Sequence, residues 1–119
     1  MLIDTNIAIY HLKGDFTLES ILQDKEIYIS FITEIEISTK SISRNHDALI
    51  KQFLSYTTIV HSTDRVSQYA IDLRKKYAFK TPDAIVAATA LDIGFPLLTA
   101  DKQLWKIKEV EVIQYQSVL

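Results

Sequence analysis

Residues 83–93 read Asp-Ala-Ile-Val-Ala-Ala-Thr-Ala-Leu-Asp-Ile, a helical stretch whose apolar side chains Ala84, Ile85, Val86, Ala87, Ala88, Ala90 and Leu91 leave almost no polar face. A helix that is apolar nearly all round cannot lie on a surface, so it should be the most buried helix of the protein. Its start is marked in the preferred way, by Thr81 as a cap residue and Pro82 at the first helical position. Gly94 marks its end.

The rest of the chain alternates between two periodicities. Short aliphatic or β-branched runs at residues 1–3, 27–29, 57–60, 96–99 and 110–115 read as strands. Between them lie helical stretches at 6–12, 16–22, from Ser30 or Thr33 to about 43, 48–56, the segment after Asp64, and 101–107. After Asp64, a candidate N-cap, Val66, Ala70, Leu73 and Tyr77 recur at spacings of four, three and four, which is one face of a helix. Strands separated by helices imply an α/β fold, with a central parallel sheet of four to five strands and helices on both faces. In such sheets ligands bind beyond the carboxyl ends of the strands.

The whole chain, residues 1–119, suits one domain with a single core. Only two Gly and two Pro leave little room for a flexible linker, and the absence of Cys excludes disulfides and thiolate metal sites. The apolar stretch 84–98 is broken by Asp92, Gly94 and Pro96 and is too short for a membrane span. No secretory pattern opens the chain, because Asp4 interrupts the first apolar residues and no basic segment precedes them. A cytoplasmic protein is expected. The formal net charge of −2 gives no general attraction to nucleic acid, so any such binding must use a local basic patch.

Four acids stand beside junctions between a strand or loop and a helix: Asp4, Glu36, Asp83 and Asp101. Each has an ordinary structural role open to it. Asp4 and Asp101 can cap the helices that follow them. Glu36 can close a capping box with Thr33. Asp83 in the first helical turn is favoured by the helix dipole, by about 0.3–1 kcal/mol. Glu34 competes with Glu36 for any role on that helix. Ile32, Ile35, Ile37 and Ile42 argue that the apolar side lies nearer Glu36. Carboxylates gathered at one edge of a core repel one another unless a cation sits among them, and a hard divalent ion prefers oxygen ligands.

Four segments in series then carry a resemblance: Asp4-Thr5-Asn6, Ser30-x-x-Thr33-x-x-Glu36, Pro82-Asp83-Ala84-x-x-Ala87-Ala88-x-Ala90, and Leu98-Thr99-Ala100-Asp101. In order, spacing and length the sequence resembles the PIN-domain ribonucleases, and among them the VapC-type toxins of bacterial toxin–antitoxin pairs. The resemblance implies a single PIN-like nuclease domain with Asp4, Glu36, Asp83 and Asp101 as catalytic residues and ligands of Mg²⁺ or Mn²⁺. Thr5, Asn6 and Thr99 would be supporting polar neighbours. It implies hydrolysis of RNA, a cognate antitoxin protein that blocks the site, and a homodimer. Departures from the family pattern are the three residues before Asp4, the extra acid Glu34, and Leu104 where an aromatic residue is common. None of these removes a ligand.

Lys80 and Lys102, beside Asp83 and Asp101 in sequence, are the first candidates for RNA phosphate contacts, followed by Arg74-Lys75-Lys76 and Arg44. Tyr10, Phe16 and Trp105 could stack on bases or pack in the core. His11, His46 and His61 are scattered and form no triad. The rival reading is a catalytically silent PIN-like module that binds RNA or protein. A phosphohydrolase is disfavoured because Asn6 stands where its second Asp is needed. A receiver domain is disfavoured because no acid ends the third strand.

Overall fold

The computed structural model describes residues 1–118. Five parallel strands form one sheet: β1 (Leu2–Ile3), β2 (Ile27–Ser30), β3 (Thr57–Val60), β4 (Leu97–Thr99) and β5 (Val112–Gln114), in the order β3-β2-β1-β4-β5. Six α-helices connect them: α1 (Thr5–Leu12), α2 (Phe16–Leu22), α3 (Phe31–Ser38), α4 (Arg44–Ser55), α5 (Asp64–Tyr77) and α6 (Thr81–Ile93). This is the α/β architecture expected from the alternation of periodicities.

Period-two alternation splits the core between the two faces of the sheet. Leu2 and Leu97 join Val66, Ala70 and Leu73 of α5 and the alanine-rich face of α6. Their neighbours Ile3 and Leu98 join Ile7, Leu18, Ile37, Ile50 and Phe53 from α1 to α4. Leu2, Ile3, Leu97 and Leu98 are all completely buried. The central strands are therefore apolar on both sides, as parallel strands covered by helices must be. Helix α6 buries Ala84, Val86, Ala87, Ala88, Thr89 and Ala90, and packs along α5. Gly94 ends it in the left-handed region (φ 73°), where a residue without Cβ is unstrained.

Several boundaries differ from the sequence reading, each for a local reason. The cap of α3 is Ser30, whose hydroxyl accepts from Ile32 N–H, and the helix stops at Ser38 instead of near residue 43. Thr33 is thus inside the helix, and no capping box joins it to Glu36. Helix α4 begins at Arg44 because Ser43 caps His46 N–H. Thr63, not Asp64, caps α5, by accepting from Val66 N–H. Lys80 occupies the cap position of α6 with no side-chain bond, which moves Thr81 and Pro82 into the first turn. The helix expected at 101–107 is only one 3₁₀ turn, Leu104–Lys106. Ile3 and Leu97–Thr99 mark shorter strands than the apolar runs suggested, and β5 spans only three residues.

Strand order reverses at the centre of the sheet. From β1 the chain moves to β2 and β3 on one side, whereas β4 and β5 lie on the other. The carboxyl ends of β1 and β4 therefore flank a topological switch point, where connections diverge and leave a crevice.

Candidate active site

Asp4 directly follows β1 and caps α1. Its backbone N–H still belongs to the sheet, donating to Leu98 O at 3.0 Å. Only 4% of it is exposed, yet it has no cationic partner among the described residues. Its Oδ1 accepts from Thr5 N–H at 2.7 Å and its Oδ2 from the Thr99 hydroxyl at 2.8 Å. Burial is the largest influence on the carboxyl and raises its pKa to about 6, against the pull of those two bonds. The charges of Asp83 and Asp101 push in the same upward direction.

Asp101 lies two residues past β4. Its N–H donates to Thr99 Oγ1 at 3.0 Å and its Oδ1 accepts from Gln103 N–H at 2.9 Å. The acid therefore has the cap-like local bond expected of it while standing at the switch point. Asp83 sits half-buried in the first turn of α6. Burial raises its pKa, the charges of Asp101 and Glu36 raise it further, and Lys80 opposes them. Glu36 completes the set from α3, where the Thr5 hydroxyl donates to its Oε1 at 2.9 Å. Glu34 takes no part in that bond or in the coupling to Asp83. Of the isoleucines that favoured Glu36 over Glu34, Ile37 is buried, but Ile35 and Ile42 are 53% and 89% exposed.

Asp4, Asp83 and Asp101 are thus coupled electrostatically at one edge of the sheet, and Glu36 joins them through Asp83. Among the described residues no three acidic, histidine or cysteine side chains already stand grouped as metal ligands. The donor chemistry nevertheless fits a hard divalent cation. All candidate donors are oxygens, and the buried Asp4 and half-buried Asp83 carry repulsion that a cation would relieve. Mg²⁺ commonly keeps several waters and uses one or two carboxylates, so an open set suits it better than a closed cage.

The supporting residues divide. Thr5 and Thr99 are buried and bonded to the acids, whereas Asn6 is exposed. Thr33, read from sequence as a cap, is a member of the same polar network: its Oγ1 lies 3.0 Å from Thr5 Oγ1. Its placement three residues before Glu36, on the same helix face, was the signal that could have found it. Lys80 stands near Asp83, and Lys102 is exposed beside Asp101. Of the second-choice basic residues, Arg74 donates to Phe79 O and Lys76 pairs with Glu109 at 3.1 Å, so both serve structure. Trp105 donates its indole N–H to Thr99 O and so props the end of β4.

A separate groove of about 740 Å³ opens at the other end of the sheet, where Ile27 and Thr57 begin β2 and β3. Phe16, Leu49, Phe53 and Tyr56 line it, with His11 tilted against Phe53 at 5.7 Å. Phe16 and Tyr56 are 71% and 75% exposed, an apolar surface that the sequence reading did not find.

The sequence pattern of the PIN domain matches residues 1–110, and the chain belongs to the PIN domain family. Among solved structures it is similar to the toxin–antitoxin complex from Klebsiella pneumoniae, with 28% identity, a TM-score of 0.85 and 95% of each chain covered. VapBC2 from Rickettsia felis, bound to a DNA fragment from its promoter, is 19% identical with a TM-score of 0.83, covering 97% of this chain and 98% of that one. DNA-bound VapBC from Salmonella typhimurium is also 19% identical, with a TM-score of 0.81 over 95% and 96% of the two chains. At the last two identities the likeness is one of fold. No curated protein matches the chain.

Proposed function

We propose that residues 1–119 form one PIN-like domain that hydrolyses RNA phosphodiester bonds with Mg²⁺ or Mn²⁺, as the VapC-type toxin of a bacterial toxin–antitoxin pair. The observation that carries this reading is the buried Asp4, coupled to Asp83 and Asp101 at the switch point with no cationic partner among the described residues. Membership of the PIN family and the likeness to toxin–antitoxin structures support it.

In this reading Asp4, Asp83, Asp101 and Glu36 hold the ion. When bound, the ion supplies positive charge to the phosphate, acidifies water and stabilises the leaving oxygen. The chain itself supplies placement. The Thr99 hydroxyl donates to Asp4 Oδ2 and accepts from the Asp101 backbone N–H, so the two residues are set as a pair. Thr5 holds Glu36 through Oε1, and this carboxylate would help hold the ion or take a proton from the attacking water. Lys80 and Lys102 would contact substrate phosphates and fix the strand's register.

The partner in this reading is a small antitoxin. An apolar helix of that protein would lie in the groove beside Phe16, Leu49 and Tyr56. The groove is at the opposite end of the strands from the acids, so a further segment with a basic residue must extend to reach and block them. Homodimerisation has exposed Ile35 and Ile42 as its apolar candidates. A cytoplasmic location follows from the RNA substrate, and no helix among the described residues is long and apolar enough to cross a membrane.

The test is cleavage of a mixed RNA pool by the purified chain with Mg²⁺, Mn²⁺ or EDTA, beside Asp83→Asn. Metal-dependent cleavage that disappears in the variant is expected. Cleavage that survives both EDTA and Asp83→Asn would overturn the proposed site. If neither cleavage nor Mn²⁺ binding is found, the acids are helix caps and the domain is a binding module.

A further inference from the structure

Thr33 is completely buried on α3, and its one hydrogen-bond partner among the described residues is Thr5 Oγ1, at 3.0 Å. Distance alone leaves the direction of that bond open, but counting protons closes it. The Thr5 hydroxyl has one proton, and it goes to Glu36 Oε1 at 2.9 Å. Glu36 as a carboxylate can only accept. Thr5 therefore has no proton left for Thr33, and Thr33 must be the donor. The reverse arrangement would leave the Thr33 proton buried without an acceptor and remove the one hydrogen bond that Glu36 Oε1 has among the described residues. Leaving a buried polar group unsatisfied is costly, which holds the chain of bonds in one direction.

We propose that Thr33 is a positioning residue: its hydroxyl donates to Thr5, which anchors the Thr5 side chain, leaves the Thr5 proton for Glu36 and so fixes the orientation of that carboxylate. The inference rests on the reading of Glu36 as part of the nuclease site. It gives the network two matching halves. Asp101 N–H donates to the Thr99 hydroxyl, which donates to Asp4. On the other side Thr33 donates to Thr5, which donates to Glu36. Thr5 joins the halves, because its backbone N–H donates to Asp4 Oδ1. Outer hydrogen bonds of this kind orient metal-binding carboxylates, and their loss commonly costs about 10–100-fold in activity or metal affinity.

The experiment compares wild type with Thr33→Val, Thr33→Ser, Thr5→Val and the double variant Thr5→Val/Thr33→Val. Val keeps the shape of Thr and removes the donor, and Ser restores it. Two quantities are read: kcat and KM for metal-dependent RNA cleavage, and the Thr5 hydroxyl proton with its contact to the Glu36 side chain, by NMR of the metal-free protein. The expected result is a loss in kcat of about tenfold in Thr33→Val at unchanged KM. Thr33→Ser recovers it, and Thr33→Val adds nothing once Thr5 is Val, because both changes break one chain. The Thr5 hydroxyl proton of the wild type and of Thr33→Ser is expected against the Glu36 side chain, and the hydroxyl proton of residue 33 against Thr5 Oγ1. The inference is overturned if Thr33→Val cleaves like wild type, if its loss multiplies fully with that of Thr5→Val, or if the Thr5 hydroxyl proton of the wild type faces Thr33 instead of Glu36. A wild-type chain that cleaves no RNA would sink the nuclease reading alone, since the NMR comparison still decides the direction of the bonds.

Discussion

The Thr99 hydroxyl donates to Asp4 Oδ2 at 2.8 Å, joining residues 95 apart in the chain but adjacent across the β1–β4 ladder. One side chain thereby tethers two of the four acids, since the same hydroxyl accepts the Asp101 N–H. Thr99→Val should remove both bonds at a completely buried position. A cost of about 1–3 kcal/mol in stability is expected, with a 10–100-fold fall in RNA cleavage. Urea unfolding and initial rates check the two effects separately. An unchanged rate would show that Asp4 is held without Thr99.

Asp4 also predicts how the metal-free protein responds to pH. Its carboxyl ionises near 3.8 when unfolded and at about 6 when folded, because burial opposes the charge. The folded state therefore holds the proton more tightly. The associated stability is full below about pH 4 and is lost as pH rises through about 6. About two pKa units correspond to about 3 kcal/mol as an upper bound. Thermal melts in EDTA between pH 4 and pH 8 should show this decline, and Asp4→Asn should flatten it. An equal slope in the variant would place the titration elsewhere.

A divalent ion should reverse that penalty. Added Mn²⁺ is expected to raise the melting temperature of the wild type at pH 8, in proportion to RT ln(1 + [L]/Kd). Asp4→Asn and Asp83→Asn should lose most of the shift. Calorimetric melts with and without metal decide this, and an undiminished shift in both variants would put the ion at another site.

The lysines beside the acids should act on substrate binding more than on chemistry. Lys80→Ala and Lys102→Ala are expected to raise KM with little change in kcat. Each should lower the slope of log affinity against log salt by about 0.7, the value for one single-strand phosphate contact. RNA binding titrated at several salt concentrations measures this. A slope that does not move would return both side chains to the solvated surface.

At the opposite end of the sheet the groove permits partner binding to be separated from catalysis. Leu49, half exposed on α4, can be changed to Asp without touching the acids. The antitoxin should then bind at least about 2 kcal/mol more weakly, as for a central apolar contact, while the rate on RNA stays the same. Calorimetry with the cognate antitoxin checks the affinity. Full affinity would remove the groove from the interface.

Sequence alone determined the alternation of strands and helices and the buried α6, because these depend on local patterns. Apolar runs of period two and spacings of three and four report which faces must leave water. The family motif added Asp4, Glu36, Asp83 and Asp101. It could not say that Thr33 lies behind Thr5, because a Thr three residues before a Glu is equally a capping box until the fold shows that Ser30 is the cap. Nor could it give the strand order that puts β1 beside β4, or the groove between α2 and α4. Such contacts join residues far apart in the chain. They depend on which elements pack together, and no local period records that choice. The tertiary structure makes it by burying both faces of β1 and β4, which leaves Asp4 carrying a carboxylate into the core with two threonines to hold it.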